Sequence, residues 1–212
     1  MPRLSVLIKP AAHAAALIPL TLWLQRIAHG ELGADPVAAL THASGDWALR
    51  FLLASLAITP LRRWTGIPAL LQFRRMLGLY AFFYASLHFG VYLVLDLGGY
   101  WAQILDDVAK RPFITVGFLA WLLLIPLAAT STRGMMRRLG RRWGQLHRLV
   151  YAIGVLAVLH YWWLVKSDIR EPAIYAAILA ALLLARLRRR SGLIGQIEPG
   201  GEHGGDQRRN QQ

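Results

Sequence analysis

The chain has 212 residues, 56% of them hydrophobic and only 17% charged, with a mean hydropathy of +0.39. That apolar share exceeds the roughly 45–50% typical of soluble domains and falls in blocks about as long as a bilayer is thick, which excludes an ordinary soluble domain. A net charge of +13 and a pI near 11.2 would suit a nucleic-acid binder, but the charges are placed as in a membrane protein; the absence of cysteine excludes disulfides, thiolate metal sites, a thiol nucleophile and a C-x-x-C-H attachment motif.

Six apolar blocks predict transmembrane helices over 11–28, 45–61, 76–95, 112–130, 146–165 and 171–187. Each approaches the ~20 residues that a helix rising about 1.5 Å per residue needs to cross the hydrocarbon. The first block carries His13 near one end and Pro19 inside, and no cleavage site follows it, so it is not read as a removable signal. His29 and His42 fall in the loop before the second block, which is short and carries Arg50, a side chain that must snorkel. The third block follows Arg74 and Arg75 and holds His88; the fourth holds Pro126, expected to kink it. Residues 133–148 are basic and punctuated by Gly134, Gly140 and Gly144, which predicts a loop along anionic lipid headgroups. His147 opens the fifth block and His160 lies farther along it. After the sixth block the composition turns to Gly, Gln, Glu and Arg. This divides the chain into a membrane domain, 1–190, and a disordered tail, 191–212, which includes His203.

The charges give an orientation. Three-quarters of the 24 basic residues lie at the termini and in the second and fourth loops; every acid before the tail lies on the other side, among them Asp46, Asp96, Asp106, Asp107 and Glu171. The positive-inside rule then puts both termini in the cytoplasm, and accounts for the high pI without nucleic acid. Trp47, Trp64, Tyr100, Trp101, Trp143, Trp162 and Trp163 fall near block ends, as an interfacial aromatic belt does.

Ionisable groups inside a bilayer are costly and usually serve a function. Counted from Arg75 and His147, His88 and His160 sit about 20 Å up two parallel helices, at similar depth. Two neutral imidazoles at one depth suit the two faces of a haem iron and leave no open coordination position, an arrangement for electron transfer. Each remaining ring N–H then needs a carbonyl or hydroxyl acceptor. His147 and His160 lie about 3.6 turns apart, roughly 140° around an ideal helix, so they share a face only if the helix deviates, with Gly154 a site for that.

The stretches Gly45-Asp-Trp-Ala-Leu-Arg-Phe51, Ile58-Thr-Pro-Leu-Arg-Arg63, Arg74-Arg-Met-Leu-Gly-Leu-Tyr80 leading to His88, and Trp143-Gly-Gln-Leu-His-Arg-Leu-Val-Tyr151 leading to His160 resemble the MsrQ (YedZ) family. These are haem-binding membrane subunits of the periplasmic protein-methionine-sulfoxide reductase system, within the ferric-reductase-like transmembrane superfamily. The resemblance covers about residues 8–190. It implies an all-α integral inner-membrane protein, a six-helix bundle with one or two b-type haems and one of them between the third and fifth spans. It also implies electron flow from the quinone pool or a cytosolic flavin reductase to a periplasmic molybdopterin-containing subunit that reduces methionine sulfoxide, and an association with FMN. The family's haem-linked histidines match His88, His147 and His160. Its arginine pair matches Arg74 and Arg75, suited to a propionate, a flavin phosphate or a quinone carbonyl. Unlike two-haem ferric reductases, the third span has a single histidine, and no flavin and nicotinamide domain is expected. Two alternatives are a free-standing cytochrome b-type quinol or ferric reductase and, in a different class, a membrane transporter or assembly factor.

Overall fold

A computed structural model describes residues 2–165 and 168–194; side chains are described from residue 8 to residue 186, apart from those at 101, 103, 105, 107, 166 and 167. Its elements in chain order are α1 (Pro2–Ala28), α2 (Pro36–Thr65), a 3-10 turn (Pro68–Leu70), α3 (Leu71–Val91) running into a π-helical turn (Tyr92–Asp96), α4 (Trp101–Lys110), α5 (Pro112–Ala129), α6 (Arg133–Leu139), α7 (Arg141–Leu146), α8 (Leu149–Leu164) and α9 (Arg170–Ile194). Among the described residues no strand occurs. The protein is all-α.

Local chemistry sets the helix ends. Asp35 caps α2 by accepting from the Ala38 N–H at 2.9 Å, with Pro36 at the first helical position, where its missing N–H costs nothing. The helix stops at Gly66, whose φ of +69° permits the left-handed cap. Thr132 caps α6 by accepting from the Met135 N–H at 3.2 Å. Pro19 and Pro126 lie inside α1 and α5 as expected, and Pro10 and Pro60 are also inside helices.

Four of the six apolar blocks lie inside longer helices; 112–130 is α5 with one residue beyond it, and 146–165 is α8 with the turn at His147 and Arg148 that precedes it. The segments Pro68–Asp96 and Pro112–Ala129 are long and apolar enough to cross a membrane. Only 11% and 17% of their most apolar windows are buried inside the protein, so their side chains face outward, unlike a core helix of a soluble domain. Large apolar side chains on α1 and α9 are exposed in the same way, including Leu22, Leu24, Ile174 and Leu184.

Two hairpins organise the packing. In the first, α2 lies antiparallel to α3; in the second, α5 lies antiparallel to α8 and is joined to it through α6 and α7. An aromatic cluster fastens α1 to the first hairpin: Tyr84 is fully buried, stacks on Phe51, meets Trp23 edge-on, and donates its hydroxyl to the Ala16 carbonyl at 2.8 Å. Leu49, Leu53, Leu56, Val158 and Leu179 bring α2, α8 and α9 together.

Four expectations need correction. The basic 133–148 segment is largely helical, its two short helices separated at Gly140 (φ +49°), because helices of six or seven residues are too short to show an apolar period. His42 belongs to α2 rather than to a loop, since the Asp35 cap and Pro36 start that helix well before the apolar block. Gly154 does not mark a helix deviation: α8 is continuous there, and a Cβ at Gly154 would lie 3.1 Å from a Leu179 methyl, so the glycine serves close packing of α9. The helix α9 continues to Ile194, past the expected end of the membrane domain; the rest of the expected tail, including His203, lies outside the described residues.

Candidate functional site

The helices α3 and α8 face each other with little direct contact, and between them lies a mostly apolar cavity of about 330 Å³. His88 from α3 and His160 from α8 both line it, their ring centroids 6.0 Å apart and their planes at 80°. The two histidines expected at similar depth thus meet across the cavity.

Each ring is pinned from behind by the other helix of its own hairpin. His88 Nδ1 lies 3.0 Å from the Thr41 carbonyl of α2, and His160 Nδ1 lies 2.6 Å from the Phe113 carbonyl of α5. A carbonyl only accepts, so in both neutral rings Nδ1 carries the proton and Nε2 is the lone-pair nitrogen. These carbonyls are the acceptors the sequence argument required.

The approach depends on two glycines, each one helical turn beyond the accepting carbonyl. A Cβ at Gly45 would stand 3.2 Å from His88 Nδ1; one at Gly117 would stand 2.7 Å from His160 Nδ1. Both carbonyls precede their histidines by the same 47 residues. The two hairpins therefore repeat one device: carbonyl, glycine one turn later, then imidazole on the returning helix. No internal repeat is visible in the sequence, because Thr41 and Phe113 act through backbone atoms. The matched spacing is the signal that sequence reasoning missed.

This donor set fits a haem. Metal–imidazole bonds run about 2 Å, so two of them plus the near half of each ring span roughly 6 Å. Among the described residues no group of three His, Cys, Asp or Glu converges as a metal cage. Two imidazole nitrogens are the number a haem iron takes beyond its macrocycle. His42, Asp46, Asp96 and Tyr161 line the same cavity, and Tyr161 donates to Glu171 at 2.6 Å. Arg50, expected to snorkel, is exposed and anchored to Tyr175 Oη at 2.9 Å and to Asp46 at 3.5 Å.

The other expected residues lie elsewhere. His147 sits between α7 and α8, stacked on Trp143 with centroids 3.9 Å apart; its Nδ1 is 3.1 Å from the Trp143 carbonyl and its Nε2 is buried with no hydrogen-bond partner. Arg74 is half-buried and close enough to His147, Tyr151 and Arg186 to interact with each electrostatically, whereas Arg75 is exposed. The structure thus joins Arg74, not Arg75, to His147. His13 is exposed and bonds Tyr80 Oη at 2.9 Å, and His29 is exposed just beyond α1.

Residues 44–158 match the family model described as "Ferric reductase like transmembrane component". A "Protein-methionine-sulfoxide reductase heme-binding subunit MsrQ" from Xanthomonas oryzae pv. oryzae is 62% identical over 184 residues, covering 84% of each chain. The protein of the same name from Xanthomonas euvesicatoria pv. vesicatoria is 64% identical over 181 residues (82% of this chain and 83% of that one), and that from Bordetella pertussis is 53% identical over 178 residues (83% and 86%). No solved structure matches the chain significantly. With identity at this level over more than four-fifths of its length, and with a family-model match from Ser44 to Val158 that includes Gly45, His88, Phe113 and Gly117 and stops just short of Thr41 and His160, the chain belongs to the MsrQ family of ferric-reductase-like membrane proteins.

Proposed function

We propose that the chain is the electron-transfer subunit of a periplasmic methionine-sulfoxide reductase system, crossing the inner membrane with six helices (α1, α2, α3, α5, α8 and α9) and both termini in the cytoplasm. Its haem-binding domain runs to the end of α9, four residues past the expected boundary at 190, and the residues beyond are a cytoplasmic extension. The names of its relatives and the two pinned imidazoles support this reading. His88 and His160 are the residues that would hold the iron of a b-type haem in the outer half of the membrane. Such a haem, when bound, supplies a one-electron carrier with no vacant position for oxygen.

The protein's own part is orientation. The Thr41 and Phe113 carbonyls fix the proton on Nδ1, which keeps Nε2 available and makes each imidazole a stronger donor. Apolar side chains such as Leu49, Phe89 and Leu124 make up much of the wall around the pair. At the arginine-rich end, His147 and Arg74 are the groups for a second haem, or for the flavin or quinone of the donor side, with electrons arriving from quinol or a cytosolic flavin reductase. Methionine sulfoxide chemistry belongs to the periplasmic molybdopterin-containing partner.

The single observation that carries the proposal is the pair of imidazoles 6.0 Å apart with both Nδ1 atoms committed to carbonyls. The test is haem content and reduced-minus-oxidised spectra of purified His88→Ala, His160→Ala and His29→Ala variants. Either of the first two loses most of its low-spin haem and its transfer to the partner, while His29→Ala keeps both. Full haem and unchanged spectra in His88→Ala and His160→Ala would sink the assignment.

A further inference from the structure

At the arginine-rich end, α2, α3, α8 and α9 bring two half-buried guanidiniums together without an acid. Arg186 of α9 donates through one terminal nitrogen to Tyr151 Oη, through the other to the Leu56 carbonyl at 2.7 Å, and lies 5.0 Å over the Tyr151 ring. Its Nε is buried and has no partner. Arg74 of α3 is held through its backbone, whose carbonyl accepts from Ser55 at 3.0 Å, and its guanidinium feels Arg186. Thr59 lies one turn beyond Ser55 and Leu56 on the face of α2 that meets both arginines, and its hydroxyl is also buried without a partner. Among the described residues no ion pair holds either arginine.

Two like charges in a partly desolvated place repel, and a buried donor without a partner costs free energy. Both costs vanish if one multi-oxygen anion sits between the guanidiniums. A phosphate offers several acceptor oxygens and enough negative charge, and the fork of donors on a guanidinium matches it. We propose that Arg74 and Arg186, with Thr59, form a receptor for one phosphate group, carried by an anionic phospholipid headgroup or by a soluble phosphate compound. The inference is independent of the imidazole pair, since its readouts require no electron transfer.

The full chain is purified in a phosphate-free maltoside detergent, and its thermal-unfolding midpoint is followed with millimolar inorganic phosphate, with chloride at equal ionic strength, and with phosphatidylglycerol mixed into the micelles. Total phosphorus per chain is measured after delipidation. Wild type gains roughly 3–6 °C at a tenfold excess over the dissociation constant, or retains one more phosphorus atom per chain than Arg186→Gln. A response to inorganic phosphate assigns a soluble source; a response to phosphatidylglycerol alone, or retained lipid phosphorus, assigns the headgroup. Arg186→Gln and Arg74→Gln lose the gain, and Arg137→Gln, an exposed cation of α6, keeps it. The proposal is overturned if wild type shows neither gain nor extra phosphorus, if Arg186→Gln and Arg74→Gln both respond like wild type, or if Arg137→Gln loses the response equally.

Discussion

A single methyl group at Gly117 would stand closer to His160 Nδ1 than real side-chain contacts allow, and helix backbone offers it no retreat. The imidazole would have to swing away from the Phe113 carbonyl, losing both its tautomer and its aim. Gly117→Ala should therefore lower haem per chain several-fold, measured as the pyridine haemochrome. Gly45→Ala, whose Cβ would meet His88 at 3.2 Å, should cost less. Equal, full loading of both variants would show that the glycines are incidental. His147→Ala should slow reduction from the cytoplasmic side while leaving the outer haem reducible by dithionite; normal quinol-driven turnover would reduce His147 to an interfacial residue. The histidines were legible in the sequence because an ionisable group in an apolar span is conspicuous. Thr41 and Phe113 were not, since their contribution is a carbonyl that every residue owns. Arg186 was legible only as topology, because its neighbours come from helices far away in sequence.

At the scale of elements, the segment between α3 and α5 holds the charges closest to the periplasmic partner in this topology. Asp96 ends the π-helical turn and lines the cavity, whereas Asp106 is already paired with Lys110 at 2.6 Å within α4. By sequence Asp96, Asp106 and Asp107 differ in nothing but position on the outward side; the ion pair separates the first two, and the Asp107 side chain is outside the described residues. Rim charges act chiefly on association rate. Asp96→Asn should slow reduction of the partner at low salt more than Asp106→Asn does, with both effects fading as ionic strength rises in stopped-flow traces. A rate unchanged at every salt concentration would count against docking there. The apolar blocks were readable as helices from length and hydropathy alone. The helices α6 and α7 were not, because helices of seven and six residues show too little apolar period and Gly134 and Gly144 read as loop; α4 was passed over because it is shorter than a span, although Trp101, Ile104, Leu105 and Val108 fall at helical spacing.

For the whole molecule, the proposed topology puts a C-terminal reporter in the cytoplasm and one inserted in the 96–111 segment in the periplasm. Alkaline phosphatase and fluorescent-protein fusions should give opposite signals at the two places, and matching signals would overturn the six-span arrangement. Charge asymmetry made the two ends legible, but the near-repetition of two hairpins could emerge only once their backbones were seen side by side. That repetition has a consequence for how the protein is made. Each hairpin sets the orientation and protonation of its own imidazole with its own carbonyl, without help from the other half. A chain threaded into the membrane before any iron porphyrin reaches it already presents both donors correctly. If the proposed site holds the haem, cells short of haem should accumulate an inserted, folded precursor that takes up haem when it is resupplied, read as rising haem per chain at constant membrane protein; loss of the protein from haem-starved membranes would overturn this.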